Sequence, residues 1–296
     1  MVALSDLSFP SEPGWSKFPS TYIVQDRMNE EELTRLALQD KLLIAVMGGT
    51  LPEQKETQRF KRVLDIGCAT GGWVVETARA YPKMHVTGID INQKAIEYAK
   101  TQAAIEGVSE RASFLAIDAL ALPGLEDNTF DLVNQRMGST YLRIWEWPQI
   151  MREMARVTRP GGIIRLSETN VVPESNSDAL MQLCKLFLQA FVASSHISQL
   201  DKRGIIPKLA TFLAEQRCQD IQTLPTTIEY RAGTEMMGAF YEDVKHIFRT
   251  YRPFIFKWSK INLDYDAIYQ QMLEEIQKPD FYANVTFSTV WGRMPV

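Results

Sequence analysis

The sequence predicts an α/β protein: a doubly wound, mostly parallel sheet with an antiparallel C-terminal edge strand and a helical cap. Three observations predict it. Between Val63 and Leu166 short β-branched runs take turns with stretches of helical periodicity, the pattern of βαβ units whose parallel sheet is covered on both faces. The run VLDIGCATGGW, Val63 to Trp73, sets three glycines just after the first apolar run, where a strand turns into a helix. Two late runs, IQTLPTTIEY and FYANVTFSTVWGRM, read as strands that extend the sheet along one side, with an antiparallel edge.

Taken in order, residues 1–20 mix Pro, Ser and Gly with isolated aromatics and read as an extended arm. NEEELTRLALQDKLLIAVMGG, from Asn29, has acids in its first turn, apolar residues near helical spacing and a Gly pair at its end, which predicts a helix. Residues 1–58 are therefore expected to form an N-terminal arm and lid, and 59–296 the main domain. RVLDIG, HVTGID, ASFLAID, FDLVNQ and GIIRLSE are the five central strands, with helices in GGWVVETARAYP, NQKAIEYAKTQAAIEG and PQIMREMARV between them. Right-handed crossovers would join them. In RPGG, Pro160 and the glycine pair stop a helix and turn the chain back into the sheet. Beyond Glu168, SDALMQLCKLFLQAFVASSH and LATFLAEQR predict a helical cap over about 174–217, and DAIYQQMLEEIQ a further helix.

Composition narrows the function classes. Apolar residues make up 45% of the 296, charged residues 23%, and the net charge is −4, the profile of an ordinary globular protein. An acidic balance without a basic run disfavours nucleic acid as a partner. Cys68, Cys184 and Cys218 lie far apart with no paired-cysteine or Cys/His spacing, so neither a disulfide framework nor a metal site is expected. No stretch approaches the ~18 consecutive apolar residues of a membrane span, and the first residues lack the pattern of a secretion leader. The expected compartment is the cytoplasm, the expected partner a small molecule, and a homodimer is compatible with the chain.

In an open α/β sheet ligands bind beyond the carboxyl ends of the strands. The loop Gly67-Cys68-Ala69-Thr70-Gly71 follows the first strand, and the helix beginning near Gly71 offers free amides. Taken alone, the loop is weak evidence, with an incidental tight turn as its alternative. Three acids add weight: Asp65 before the loop, Asp90 at the end of HVTGID and Asp118 at the end of FLAID. A carboxylate as close as Asp65 adds little to a pyrophosphate site and favours a cationic ligand group. Asp90 is placed to accept from a ribose diol, and Asp118, followed by Ala119, from an exocyclic amine of adenine. Each could instead cap a helix; three at successive strand ends form a coherent edge.

VLDIGCATG, GIDI, AIDAL, FDLVNQR and VTRPGGIIRL together resemble the successive motifs of class I S-adenosylmethionine-dependent methyltransferases, over about 60–170. The resemblance implies a Rossmann-like domain, S-adenosylmethionine as cofactor and a small-molecule acceptor. By it, Asp65 and Gly67 flank the methionine part of the cofactor, with Cys68, Ala69 and Gly71 completing the loop. Asp90 and Ile91 meet the ribose, Asp118 and Ala119 the adenine, and Asn134 and Gln135 line the cofactor below the methyl. The family's middle glycine is Ala69 here, which an ordinary backbone angle would allow.

Methyl transfer needs alignment, exclusion of water and a nucleophile in the right protonation state. Of three histidines, His196 after the apolar helix is the expected base, with a surface histidine as its alternative. Tyr22 and Gln25, before the first helix, are expected to bind the cofactor carboxylate or cover the methyl, or else to staple the arm. Trp145 and Trp147 would wall an acceptor pocket or simply be core, and Glu168 and Asn170 would orient an acceptor. The expected activity is methylation of an oxygen or nitrogen on a small, fairly apolar metabolite. Two alternatives share these motifs: a protein that keeps the cofactor but steers a cyclisation or rearrangement, and a nicotinamide-dependent oxidoreductase, against which Asp65 and RPGG speak.

Overall fold

A computed structural model describes residues 22–24 and 30–296. The sheet carries strands β1 (Arg62–Ile66), β2 (His85–Asp90), β3 (Ala112–Ala116), β4 (Phe130–Arg136), β5 (Thr158–Thr169), β6 (Glu174–Ser175), β7 (Gln219–Arg231) and β8 (Tyr282–Arg293). Its order is β3-β2-β1-β4-β5-β8-β6, with β7 also paired to β8. β1 to β5 run parallel and β8 is antiparallel to β5. This is the expected doubly wound sheet, with one refinement: the C-terminal strand β8 lies between β5 and β7, and β7 and the short β6 flank it.

Side chains alternate across the sheet as the pleat requires. Val63, Val86, Phe114, Leu132 and Ile163 pack on one face against Trp73, Val74 and Ala78 of α2 (Gly72–Ala80) and Ile96, Ala99 and Ala103 of α3 (Gln93–Ile105). Leu64, Ile66, Val133, Ile164 and Leu166 face the other way. There they meet Ile150, Met151 and Met154 of α4 (Trp147–Val157) together with α5 (Asp178–Ala193) and α6 (Leu209–Glu215). α3 starts on Asn92, whose carboxamide oxygen accepts from Lys94 N and Ala95 N, and α5 on Ser177, whose hydroxyl accepts from Leu180 N. These caps satisfy amides that the first helical turn leaves without partners.

The cap is larger than the sequence predicts. Between β7 and β8 the chain adds α7 (Met236–Thr250) and α8 (Arg252–Trp258) before the expected α9 (Tyr265–Ile276). α5 packs on α8 and α9, and α7 packs on α1 (Glu30–Val46). The apolar stripe Phe240, Val244 and Phe248 buries α7. The roof is therefore assembled from segments more than 200 residues apart, not from 174–217 alone.

Candidate active site

The strand order reverses between β1 and β4, so the crevice beyond their carboxyl ends is the place for a ligand. A cavity of about 180 Å³ opens there. Gly67, Cys68 and Ala69 form its floor, Asp90, Ile91 and Asn92 come from the end of β2, and Asp118 and Ala119 follow β3. Arg136 ends β4 and Met137, Thr140 and Tyr141 follow it, and Tyr22, Gln39, Asp40 and Leu43 close the cavity from the N-terminal side. A second cavity of about 160 Å³ shares Gln39, Leu43, Met137 and Thr140 with the first. Its other walls are largely aromatic and aliphatic, from α5, α7 and β8.

The loop after β1 is built tightly. Gly67 has φ +69°, and a Cβ there would meet the Tyr141 hydroxyl at 2.7 Å; Gly71 has φ +76° and abuts Ala99 and Phe114. Ala69 departs from expectation. Its φ is +47°, in the left-handed region, which costs an L-residue about 1–2 kcal/mol. Its amide donates to Asp90 Oδ2 at 3.0 Å while Asn92 N donates to Oδ1 at 2.8 Å. A hydrogen bond to a charged group contributes about 1.5–3 kcal/mol, enough to offset the strain. Asp90 thus ties the first loop to the second strand at the edge of the crevice. Asp118 Oδ1 accepts from Leu120 N at 2.9 Å, a turn bond that leaves its other oxygen uncommitted by that bond.

Of the expected cofactor residues, Tyr22, Gly67, Cys68, Ala69, Asp90, Ile91, Asp118 and Ala119 all border the first cavity. Gln25 lies outside the described residues. Asp65, Gly71, Asn134 and Gln135 stand behind the wall rather than in it. The register explains Asn134: Asp65 pairs with Asn134 and Asn134 with Arg165 across β1, β4 and β5, so the three side chains share one face. Asn134 Nδ2 donates to Asp65 Oδ1 and Arg165 Nη1 to Asn134 Oδ1, each at 2.7 Å, and Arg165 pairs with Glu53 at 2.7 Å. Asp65 Oδ2 is buried with no hydrogen-bond partner among the described residues. Burial pushes its carboxyl up to about 6, against the pull of Arg136 and the bond from Asn134. Gln135 donates to the Tyr141 hydroxyl at 3.0 Å, setting the ring over Gly67.

His196 is corrected outright. Its ring stacks on Phe191 at 5.3 Å and meets Phe254 edge-on at 5.6 Å, Nδ1 lies 2.8 Å from Ser194 Oγ, and the residue borders neither cavity. It is a packed core histidine. Trp147 stacks on Phe212 in the core and Trp145 is 58% exposed, so neither walls an acceptor pocket. Asn170 does line the second cavity. Glu168 does not; its carboxylate accepts from Ser139 N at 2.9 Å and Ser139 Oγ at 2.7 Å, and burial raises it to about 7. It holds the turn 138–140, next to the left-handed Met137 (φ +54°) on the seam between the cavities.

Sequence reasoning missed the clamp across the site. Asp40 of α1 accepts from Arg136 Nη2 at 2.8 Å, and both border the first cavity. Its signal was weak: Arg136 directly follows the FDLVNQ strand, but Asp40 is one polar residue among several on its helix. Among the described residues, the charged groups of this wall are Asp40, Asp90, Asp118 and Arg136, a net negative set in which the one cation is already paired with Asp40. Such a wall favours a cationic nucleoside over a pyrophosphate.

Residues 63–162 match the family model described as a methyltransferase domain. That stretch is a methyltransferase domain. The chain is 32% identical over 186 residues to 27-O-demethylrifamycin SV methyltransferase of Amycolatopsis mediterranei (strain S699), covering 61% of this chain and 63% of that one. It is 29% identical over 181 residues to methyltransferase GfsG of Streptomyces halstedii, covering 60% and 62%. The aligned part thus spans just under two thirds of the curated relatives it matches. Among solved structures, the [4+2]-cyclase SpnF aligns with a TM-score of 0.52 at 21% identity, over 89% of this chain and 94% of that one. YcgJ from Bacillus subtilis aligns with a TM-score of 0.52 at 19% identity, over 83% and 98%. Both share the fold. The cofactor of the family is S-adenosylmethionine, and the residues present fit it: an acid-lined crevice, a glycine floor too close for a side chain, and the orphaned oxygen of Asp65 beneath the loop. Among the described residues no helix is long and apolar enough to cross a membrane, and no cluster of His, Cys, Asp and Glu could hold a metal.

Proposed function

We propose that this protein transfers a methyl group from S-adenosylmethionine to an oxygen or nitrogen of a small, fairly apolar metabolite. One observation carries the reading: an acid-lined cavity at the strand switch point and an apolar cavity share one wall, made by Gln39, Leu43, Met137 and Thr140. Asp90 would accept from the ribose hydroxyls, Asp118 and Ala119 would border the adenine, and Gly67 to Ala69 would pass beneath the methionine part. The cofactor, when bound, supplies a methyl on a cationic sulfur. The protein's part is to align an acceptor on the far side of the shared wall and to keep water from it. The names of the two relatives, one an O-demethylrifamycin methyltransferase, support a small-molecule acceptor. The net charge of −4 supports neither nucleic acid nor an acidic membrane surface as a partner. We place the protein in the cytoplasm, with a homodimer as the assembly to test.

Two measurements test this. Calorimetric titration with S-adenosylhomocysteine should give saturable binding, weakened about 10- to 100-fold by Asp90→Ala, the loss of one or two charge-assisted bonds. Undetectable binding to the wild type, or unchanged affinity in the variant, would refute the cofactor assignment. Incubation with methyl-labelled cofactor and 27-O-demethylrifamycin SV or related hydroxylated metabolites should release S-adenosylhomocysteine in step with labelled product. Conversion of an acceptor with no S-adenosylhomocysteine formed would support the cyclisation or rearrangement alternative instead.

A further inference from the structure

The second cavity contains a carboxylate that methyl transfer as described so far leaves without a task. Asp243 of α7 stands in its wall among Tyr230, Phe240, Phe248 and Tyr251, its side chain 13% exposed. Oδ1 accepts from Arg35 Nη1 at 3.3 Å and Oδ2 from Gln39 Nε2 at 3.5 Å. Both are long for bonds to a charged group, which run at about 2.7–2.9 Å. The same guanidinium gives its short bonds to Glu32, at 2.7 and 2.8 Å. Arg35 is thus directed at Glu32, and Asp243 is held in place by end contacts that leave acceptor capacity toward the cavity. Burial raises the Asp243 carboxyl above the usual range, opposed by Arg35 and Gln39. The groups facing it are Arg35, Glu32 and Gln39 from α1, Tyr230 from β7 and the ring of Tyr251 after α7.

We propose that Asp243 is the polar anchor of the acceptor chamber, taking a hydrogen bond from a hydroxyl on an otherwise apolar, ring-bearing acceptor. The inference rests on the methyl-transfer reading and narrows it from oxygen or nitrogen to oxygen. A neutral amine attacks through its lone pair without first losing a proton, whereas a hydroxyl must give up its proton as the ether forms, so a carboxylate facing the chamber serves an oxygen acceptor better. In the transfer, a lone pair of the acceptor oxygen forms the new bond to the methyl carbon, and the carbon–sulfur pair stays with sulfur, which becomes neutral. The hydroxyl proton passes to an Asp243 oxygen, so the carboxylate ends the step neutral and the product is an ether. A carboxyl raised by burial is better matched to that proton than an ordinary aspartate.

The chamber can be tested without turnover. Protein loaded with S-adenosylhomocysteine is titrated with 1-naphthol and with 1-methoxynaphthalene, followed by the fluorescence of the ring. The wild type should bind 1-naphthol at least about tenfold more tightly, as expected for one hydrogen bond to a charged acceptor, and bound naphthol should emit as naphtholate once excited. Asp243→Ala should reduce the preference to within about twofold. Asp243→Asn, which keeps shape and one acceptor oxygen, guards against misfolding; it should retain S-adenosylhomocysteine affinity, lose the naphtholate emission and keep only part of the preference. Absence of naphthol binding or of a preference in the wild type, or emission unchanged in Asp243→Asn, overturns the proposal. Because the first titration with S-adenosylhomocysteine alone reports on the cofactor site, failure of the anchor and failure of the methyl-transfer reading are separable.

Discussion

At the scale of single residues, the site combines strain with compensating bonds. Ala69 occupies a left-handed angle that glycine adopts without penalty, and Asp90 holds it there. Replacing Ala69 by Gly removes about 1–2 kcal/mol of strain but gives the unfolded chain more freedom, worth about 0.4–1 kcal/mol. Strain is the larger effect, so the variant should melt about 1–2 °C higher, as read by differential scanning calorimetry; a lower melting point would show that the methyl packs usefully. Glu168 gives a pH test. Its folded value of about 7 lies above that of a free glutamate, about 4.3. The folded state therefore binds this proton more tightly than the unfolded chain does. Its stabilising contribution is complete below about pH 4 and is lost as pH rises through about 7. Asp65, raised to about 6, acts in the same direction. At about 1.4 kcal/mol per unit, Glu168 alone accounts for a decline of about 3 kcal/mol between pH 4 and 8. Glu168→Gln should flatten that decline relative to the wild type in urea melts run across the range, and parallel curves would refute it.

At the scale of elements, α1 is the part that moves the argument from a fold to a site. Its residues border both cavities, and two ion pairs fasten it: Asp40 to Arg136 at the end of β4 and Arg35 to Asp243 on α7. Removing one partner of a largely buried pair leaves the other charge exposed to an apolar surround, costing about 3–5 kcal/mol. Asp40→Ala should therefore speed amide exchange across 30–46 by tenfold or more while leaving β1 and β4 protected, and uniform exchange in both proteins would show that the clamp does not hold the helix. The central strands were legible because their apolar runs are bounded by Gly, Asp and Asn, as in VLDIGCATGG and HVTGIDIN. Asp90, Asp118 and the Gly67 loop were legible because strand ends of such a sheet face ligands. Asn134 was misplaced because register, not spacing along one strand, set its neighbours: it lies beside Asp65 and Arg165 in a buried row. His196 was misplaced because a helix-ending histidine looks the same whether it faces a cavity or, as here, two phenylalanines. α7 escaped because Gly238 and the aromatics around it blur the period, although Phe240, Val244 and Phe248 recur every fourth residue. Asp243 was out of reach, since its contact with Arg35 spans 208 positions.

At the scale of the whole molecule, the sheet separates two cores and its carboxyl edge joins two chambers. The first chamber is built from the ends of β1, β2, β3 and β4; the second from the cap helices α5 and α7 and the antiparallel strand β8. Among the described residues, only α1 and the turn after β4 belong to both. A division of labour follows: changes confined to the second chamber should alter what is methylated and leave cofactor binding alone. Leu180 of α5 borders the second cavity and not the first, so Leu180→Trp fills acceptor space at an overpacking cost of about 1–3 kcal/mol. A ligand at a hundred times its Kd stabilises the folded state by about 2.7 kcal/mol. For a chain of this length, that corresponds to an upward shift of about 4 °C in melting temperature. S-adenosylhomocysteine should produce that same shift in the wild type and in Leu180→Trp, even though the variant starts from a lower melting point, while 1-naphthol binding falls by tenfold or more in the variant. Loss of the cofactor shift in Leu180→Trp would mean that the shared wall transmits the added bulk, and that one continuous pocket rather than two adjoining chambers serves the reaction.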